Sequence, residues 1–274
     1  MSNTSHLDRS TGALARALAA AHGPLGEGAR LHTLDHLALV RGGAAVDAGA
    51  APQLVSAQLR GRLVELSAQG ASATLTAAVG LVVQCQRDGE PAAWITRADA
   101  AFYPPDLADS GVDLGALVVV RVAPSEPAPG PGRAAAPLAT GPADRAGRAA
   151  EQLLRSGGFG LIVLDLGELD EPGATVAGAS GRGRERERAA GVLGRLAGLA
   201  KQHDTIVAVL TTKGASAPSL GSLISLRAEA LRVHDGGRFG VRAHALKDKQ
   251  RGPGWAHVEP VRPPAGLRPR PGSR

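Results

Sequence analysis

The sequence predicts an α/β fold: a mixed, mostly parallel, twisted sheet flanked by helices. Three features predict it. Short apolar strand patterns alternate with helical ones along most of the 274 residues. Two of these strands, 161–166 (LIVLDL) and 205–210 (TIVAVL), are apolar on both faces, as strands of a covered parallel sheet are. The last two, 223–233 and 240–246, are joined by a tight turn at Asp235-Gly236-Gly237 and should run antiparallel.

The elements follow in order. Residues 11–21 (TGALARALAAA) place Leu14 and Leu18 one helical turn apart, and His22-Gly23-Pro24 stops that helix. Residues 42–52 are small and loop-like, and 62–66 (RLVEL) read as the first strand. A polar loop, 67–73, leads into a helix over 74–87 that ends at Asp88-Gly89. A short strand, 92–96 (AAWIT), precedes a Pro104-Pro105 turn, a short helix and the strand 117–122 (LVVVRV). Residues 123–142 hold six prolines among Gly and Ala and read as a flexible surface insertion. A helix over 145–156 is broken by Gly157-Gly158, and the basic stretch 179–188 leads into a further helix through Gln202. The organisation expected is an N-terminal helical extension over 1–33, one α/β domain over 34–258, and a disordered basic tail over 259–274.

Composition narrows the class. Hydrophobic residues make up 43% but aromatics only 2%, so the core must be built from Leu, Val, Ile and Ala. The net charge of +6 favours polyanionic partners, although heavy use of Arg alongside Ala, Gly and Pro also fits a genome-wide bias. No apolar run is long enough to span a bilayer, and the first residues lack the pattern of a signal peptide, so no membrane role and a cytoplasmic location are expected. Cys85 is the single cysteine, which excludes an intrachain disulfide or a multi-cysteine metal site. The eight histidines form no metal-ligand cluster.

In a sheet of this kind ligands bind at the carboxyl ends of the strands, so the first strand–loop–helix unit is the expected phosphate site. A phosphate loop needs G-x-x-x-x-G-K-[ST]: glycines let the amides wrap the phosphates, the lysine neutralises them, and the hydroxyl holds Mg²⁺. With Thr74 at the hydroxyl position, Ser67 and Ser72 stand at the two glycines and Ala73 at the lysine. Only the hydroxyl survives. Asp165, which ends the LIVLD strand, stands where a second-motif carboxylate would hold Mg²⁺; it also suits the plain end of a buried strand.

Several segments, in order, resemble the RecA recombinase core. They are Gly61 through Leu66, Thr74-Leu75-Thr76, the WITRADAA stretch from Trp94, the Gly111-Val112-Asp113 to Leu117 segment, Leu153 through Asp165, Leu196 through Gln202 with Thr205 onward, and Lys247-Asp248-Lys249. The resemblance spans about residues 34–255, and within the superfamily it is nearest to the ImuA family of accessory proteins in bacterial damage-induced mutagenesis. It implies a RecA-like core with a degenerate phosphate loop. The water-activating glutamate would fall near Ala98, beside Asp99, and the γ-phosphate-sensing glutamine at Thr211 or Thr212. Lysine, acid and sensor are thus all replaced, and phosphoryl transfer depends on such groups.

The resemblance therefore implies a non-catalytic protein without a cofactor. It would bind RecA and an ImuB-type relative of the Y-family polymerases, and through it an error-prone replicative-type polymerase. DNA binding, if direct and salt-sensitive, would fall on a first loop with Arg182, Arg184, Arg186 and Arg188, a second loop with Lys213, and the basic end with Lys247, Lys249 and Arg251. A solvated charged face fits the same arginines. Two other functions suit the superfamily: an ATP-dependent strand-exchange enzyme and a SulA-like inhibitor of cell division.

Overall fold

The computed structural model describes residues 52–100, 102–123, 142–165, 179–235 and 238–261. The expected helix over 11–21, the rest of the N-terminal extension, residues 124–141 of the insertion and the tail arginines Arg262, Arg268, Arg270 and Arg274 lie outside them.

Eight strands form one sheet. In chain order they are β1 (Leu63–Ser67), β2 (Ala92–Arg97), β3 (Leu117–Val122), β4 (Leu161–Asp165), β5 (Ile206–Thr211), β6 (Leu226–Asp235), β7 (Arg238–Asp248) and β8 (Ala256–Val261). Their spatial order is β3-β2-β4-β5-β1-β6-β7-β8. Strands β3 to β6 in that order pair parallel, and β7 and β8 are added antiparallel. The helices are α1 (Ser56–Leu59), α2 (Thr74–Arg87), α3 (Pro104–Asp109), α4 (Pro142–Ser156) and α5 (Ala179–His203), with a 3-10 turn at Leu114–Ala116.

Alternation along each strand divides the core in two. Val64, Leu66, Trp94, Val163 and Leu210 face α2, whose Ala77, Ala78, Leu81 and Val82 pack on them. Leu63, Ile95, Ile162, Val207 and Val209 face the other way, onto Leu153 and Leu154 of α4 and Leu196 of α5. The period of two, set against a helix on each face, explains why β1, β4 and β5 are buried on both faces almost throughout. Alanine-rich helices approach closely: a Cβ at Gly147 of α4 would sit 2.7 Å from Val192 Cγ1 of α5. Trp94 is the one aromatic among the largest fully buried side chains, tilted against Phe102 at a centroid distance of 5.6 Å.

Several boundaries differ from expectation: α4 opens at Pro142, the last residue assigned to the insertion, and β7 spans Arg238–Asp248. A disordered tail is expected from Glu259, but Glu259, Pro260 and Val261 belong to edge strand β8, where exposed and half-buried residues alternate. A proline is tolerated there since an edge strand leaves amides unpaired anyway. The basic stretch expected as a loop at 179–188 is the start of α5. Residues 223–225 precede β6 rather than opening it. Among the described residues no helix is long and apolar enough to cross a membrane.

Candidate functional site

The loop after β1 and the start of α2 meet the carboxyl ends of β4 and β5 at a cleft of about 360 Å³. Ser72, Ala73, Thr74, Asp165, Thr211 and Arg232 contribute to its walls. The expected Ser72, Ala73, Thr74 and Asp165 are therefore gathered at one place. Ser67 is not among them: it is fully buried, and its Oγ accepts from Arg227 Nε at 3.1 Å on the opposite side of the sheet.

The loop does not form a cradle. It is bonded to β6 through an isolated antiparallel bridge between Ser72 and Leu231. The Ala73 N–H donates to the Ala230 carbonyl at 2.9 Å, and the Arg232 N–H to the Ala71 carbonyl at 2.9 Å. The Ser72 N–H donates to the Gly70 carbonyl at 2.8 Å, a tight turn made possible by Gly70 at φ +81°. Arg232 Nε donates to the Ser72 carbonyl at 2.9 Å. The Ser72 and Thr74 hydroxyls lie 3.2 Å apart and share a hydrogen bond, and the Thr74 N–H approaches Ser72 Oγ at 3.4 Å.

These bonds test the fit of the nucleotide and divalent cation that the fold type commonly holds. A triphosphate needs several amides converging on it and a cation above its terminal phosphates. Here the amides of Ser72 and Ala73 are directed at protein carbonyls, and Ala73 carries no charge. Arg232 is the one cation among the lining residues, and its guanidinium is engaged on Ser72. Asp165 Oδ2 accepts from Trp94 Nε1 at 3.3 Å. The residues present do not fit the group.

The other expected positions can be placed. Asp99, beside Ala98, is exposed and bound twice by Arg97, at 2.8 and 2.5 Å; those bonds hold its carboxyl below the usual range, which makes it a poor base. Thr211 donates its hydroxyl to Glu65 at 3.1 Å. Arg182, Arg184, Arg186 and Arg188 all lie within α5 and not on a loop. Lys213 pairs with Glu65 at 2.5 Å and donates to the Pro218 carbonyl at 2.6 Å. Lys247 donates to Gly221 O and Ser222 O, and burial with the nearby Lys249 charge holds its ammonium below the ordinary value, against the pull of Glu65. Lys249 is exposed and Arg251 half-buried. The structure thus separates Lys213 and Lys247, which are turned to protein atoms, from Lys249.

Two functional elements were not read from the sequence. Arg232 had no signal, because only the folded chain brings β6 to the loop. Glu65 did: a carboxylate inside the apolar run RLVEL must find buried partners. Among the described residues no three His, Cys, Asp or Glu side chains are gathered for a metal.

No protein-family model matches the chain, and no curated protein matches it. Among solved structures it is similar to the crystal structure of the RadB recombinase, with a TM-score of 0.50 and 17% identity over 73% of this chain and 87% of that one. The likeness shows the fold: the chain has the α/β architecture of a RecA-like recombinase, a mixed and mostly parallel sheet flanked by helices.

Proposed function

We propose that the chain is a RecA-like accessory protein of the ImuA kind, which acts by binding and not by turning over ATP. Its role is in DNA-damage-induced mutagenesis and translesion synthesis. RecA and an ImuB-type polymerase relative are its partners, with an error-prone replicative-type polymerase reached through the latter. One observation carries the non-catalytic part: Ala73 stands where a cation is required, and its own amide is bonded to Ala230. The RecA-like fold supports the rest, since a chain of that shape can dock where a RecA protomer docks, over about 800 Å² per partner. DNA contact is salt-sensitive and secondary.

Calorimetric titration with ATP and Mg²⁺, run beside titrations against purified RecA and the polymerase relative at low and high salt, tests the reading. Binding to RecA without ATP uptake is expected. Tight ATP binding with DNA-stimulated hydrolysis turns the assignment to an ATP-dependent recombinase. Failure to bind RecA or the polymerase relative removes the accessory role.

A further inference from the structure

Beneath the loop that joins β5 to β6 lies a cluster that the nucleotide cleft does not use. Glu65, in the middle of β1, has no solvent exposure, yet it is a carboxylate. Its Oε1 meets Lys213 Nζ at 2.5 Å and the Thr211 hydroxyl at 3.1 Å, with Arg227 Nε at 4.0 Å. Its Oε2 accepts the Leu220 N–H at 2.9 Å. The cations then reach on into the loop. Lys213 donates to Pro218 O, Arg227 to Ala217 O and to Gly214 O at 2.6 Å, and Lys247 to Ser219 Oγ at 3.3 Å and Gly221 O at 3.1 Å. One internal anion thus gathers two cations, with Lys247 within reach of its field, and all three cations hold the loop's oxygens.

We infer that Glu65 is a built-in counter-anion that turns Lys213 inward and keeps the 212–225 loop closed, withholding its one cation from external polyanions. The rest of the loop supports this, because residues 214–225 contain no charged side chain. With Lys213 directed at Glu65, the exposed part of the loop, including Ala215, Ser216, Pro218 and Ser222, is neutral. The cluster is also asymmetric. Without Lys213, Glu65 keeps Arg227, Thr211 and the Leu220 amide. Without Glu65, buried cations face one another with no anion between them, which is the costlier state.

The chain has four lysines, Lys201, Lys213, Lys247 and Lys249, which makes site-resolved acylation a direct test. Full-length protein is treated with an acetylating N-hydroxysuccinimide ester and each site followed by mass spectrometry. Exposed Lys201 and Lys249 should react first, with Lys213 slower by about tenfold or more because it reacts only when its pair opens. Heparin, added as a polyanion, should leave the Lys213 rate unchanged. Glu65→Gln should raise that rate towards that of Lys249 and speed amide exchange across 214–222, with Lys201 unaffected. Should that variant fail to fold, the wild-type rates decide. A Lys213 that reacts as fast as Lys249, or that heparin protects further, overturns the inference.

Discussion

Arg62 Nη2 donates to Asp248 Oδ1 across 2.6 Å, joining the residue before β1 to the end of β7, with both side chains almost wholly buried. Asp248 also accepts the Gln250 N–H at 2.9 Å and Trp255 Nε1 at 3.1 Å, and Arg62 donates to Ser225 Oγ at 3.1 Å. The pair closes the antiparallel half of the sheet onto the parallel half.

Removing one member should cost far more than a surface pair does. Asp248→Ala leaves a buried guanidinium without its anion and is expected to lower unfolding free energy by about 3–5 kcal/mol. Urea denaturation followed by circular dichroism measures it. A loss below about 1 kcal/mol would place the pair among ordinary exposed ones.

The same residue sets an acid limit. Burial alone would raise the Asp248 pKa, but the Gln250 N–H, the Arg62 charge and the Trp255 N–H together hold it below the ordinary value. A depressed carboxyl contributes stability that is present above the unfolded value of about 3.9 and lost as pH falls through the folded one. Stability should therefore fall below about pH 4, and less steeply in Asp248→Asn, when melting is compared across that range.

Two glycine substitutions should move stability in opposite directions. An added methyl at Gly160 would meet Glu90 Oε2 and sit 2.6 Å from Cys85 Sγ, so Gly160→Ala should destabilise by about 1–3 kcal/mol. Gly198, exposed on α5, has nothing within 4 Å of such a methyl, and Gly198→Ala should stabilise by about 0.5–1 kcal/mol. Thermal melts of both variants test the two signs.

Cys85 offers a reporter of unfolding. Burial, followed by the Glu90 charge, pushes its thiol pKa up to about 12, so almost no thiolate exists near neutrality. Ellman's reagent should leave the native protein unmodified at pH 8 and react with it fully in denaturant.

Restoring the missing charge should not restore a phosphate grip. Ala73→Lys supplies an ammonium, but the amides of residues 72 and 73 remain on the carbonyls of Gly70 and Ala230. The variant is expected to show no calorimetric uptake of ATP and Mg²⁺; uptake comparable with an active recombinase would show that the backbone bonds yield easily.

The boundaries of α2 and β3 were legible because each is ruled by local pattern and stops at a strong signal, Asp88-Gly89 for the helix. β8 was not, since Pro260 and Glu259 read as tail and only pairing with β7 makes AHVEPV a strand. The start of α5 was read as loop because its glycines and alternating charges hide the helical period. At the cleft, the absent glycines and lysine could be counted in the sequence. The bonding of the loop to β6 could not, because Ala73 and Ala230 are brought together only by the sheet order.

That seam has a dynamic meaning. A loop that alternates between bound and empty forms gives a molecule a timer, and neighbouring subunits read the timer as a shape. Bonded to β6 through Ala73 and Arg232, the loop is held away from that alternation. On the binding role proposed above, such a chain would be governed from outside, through how many copies are made and how long each survives.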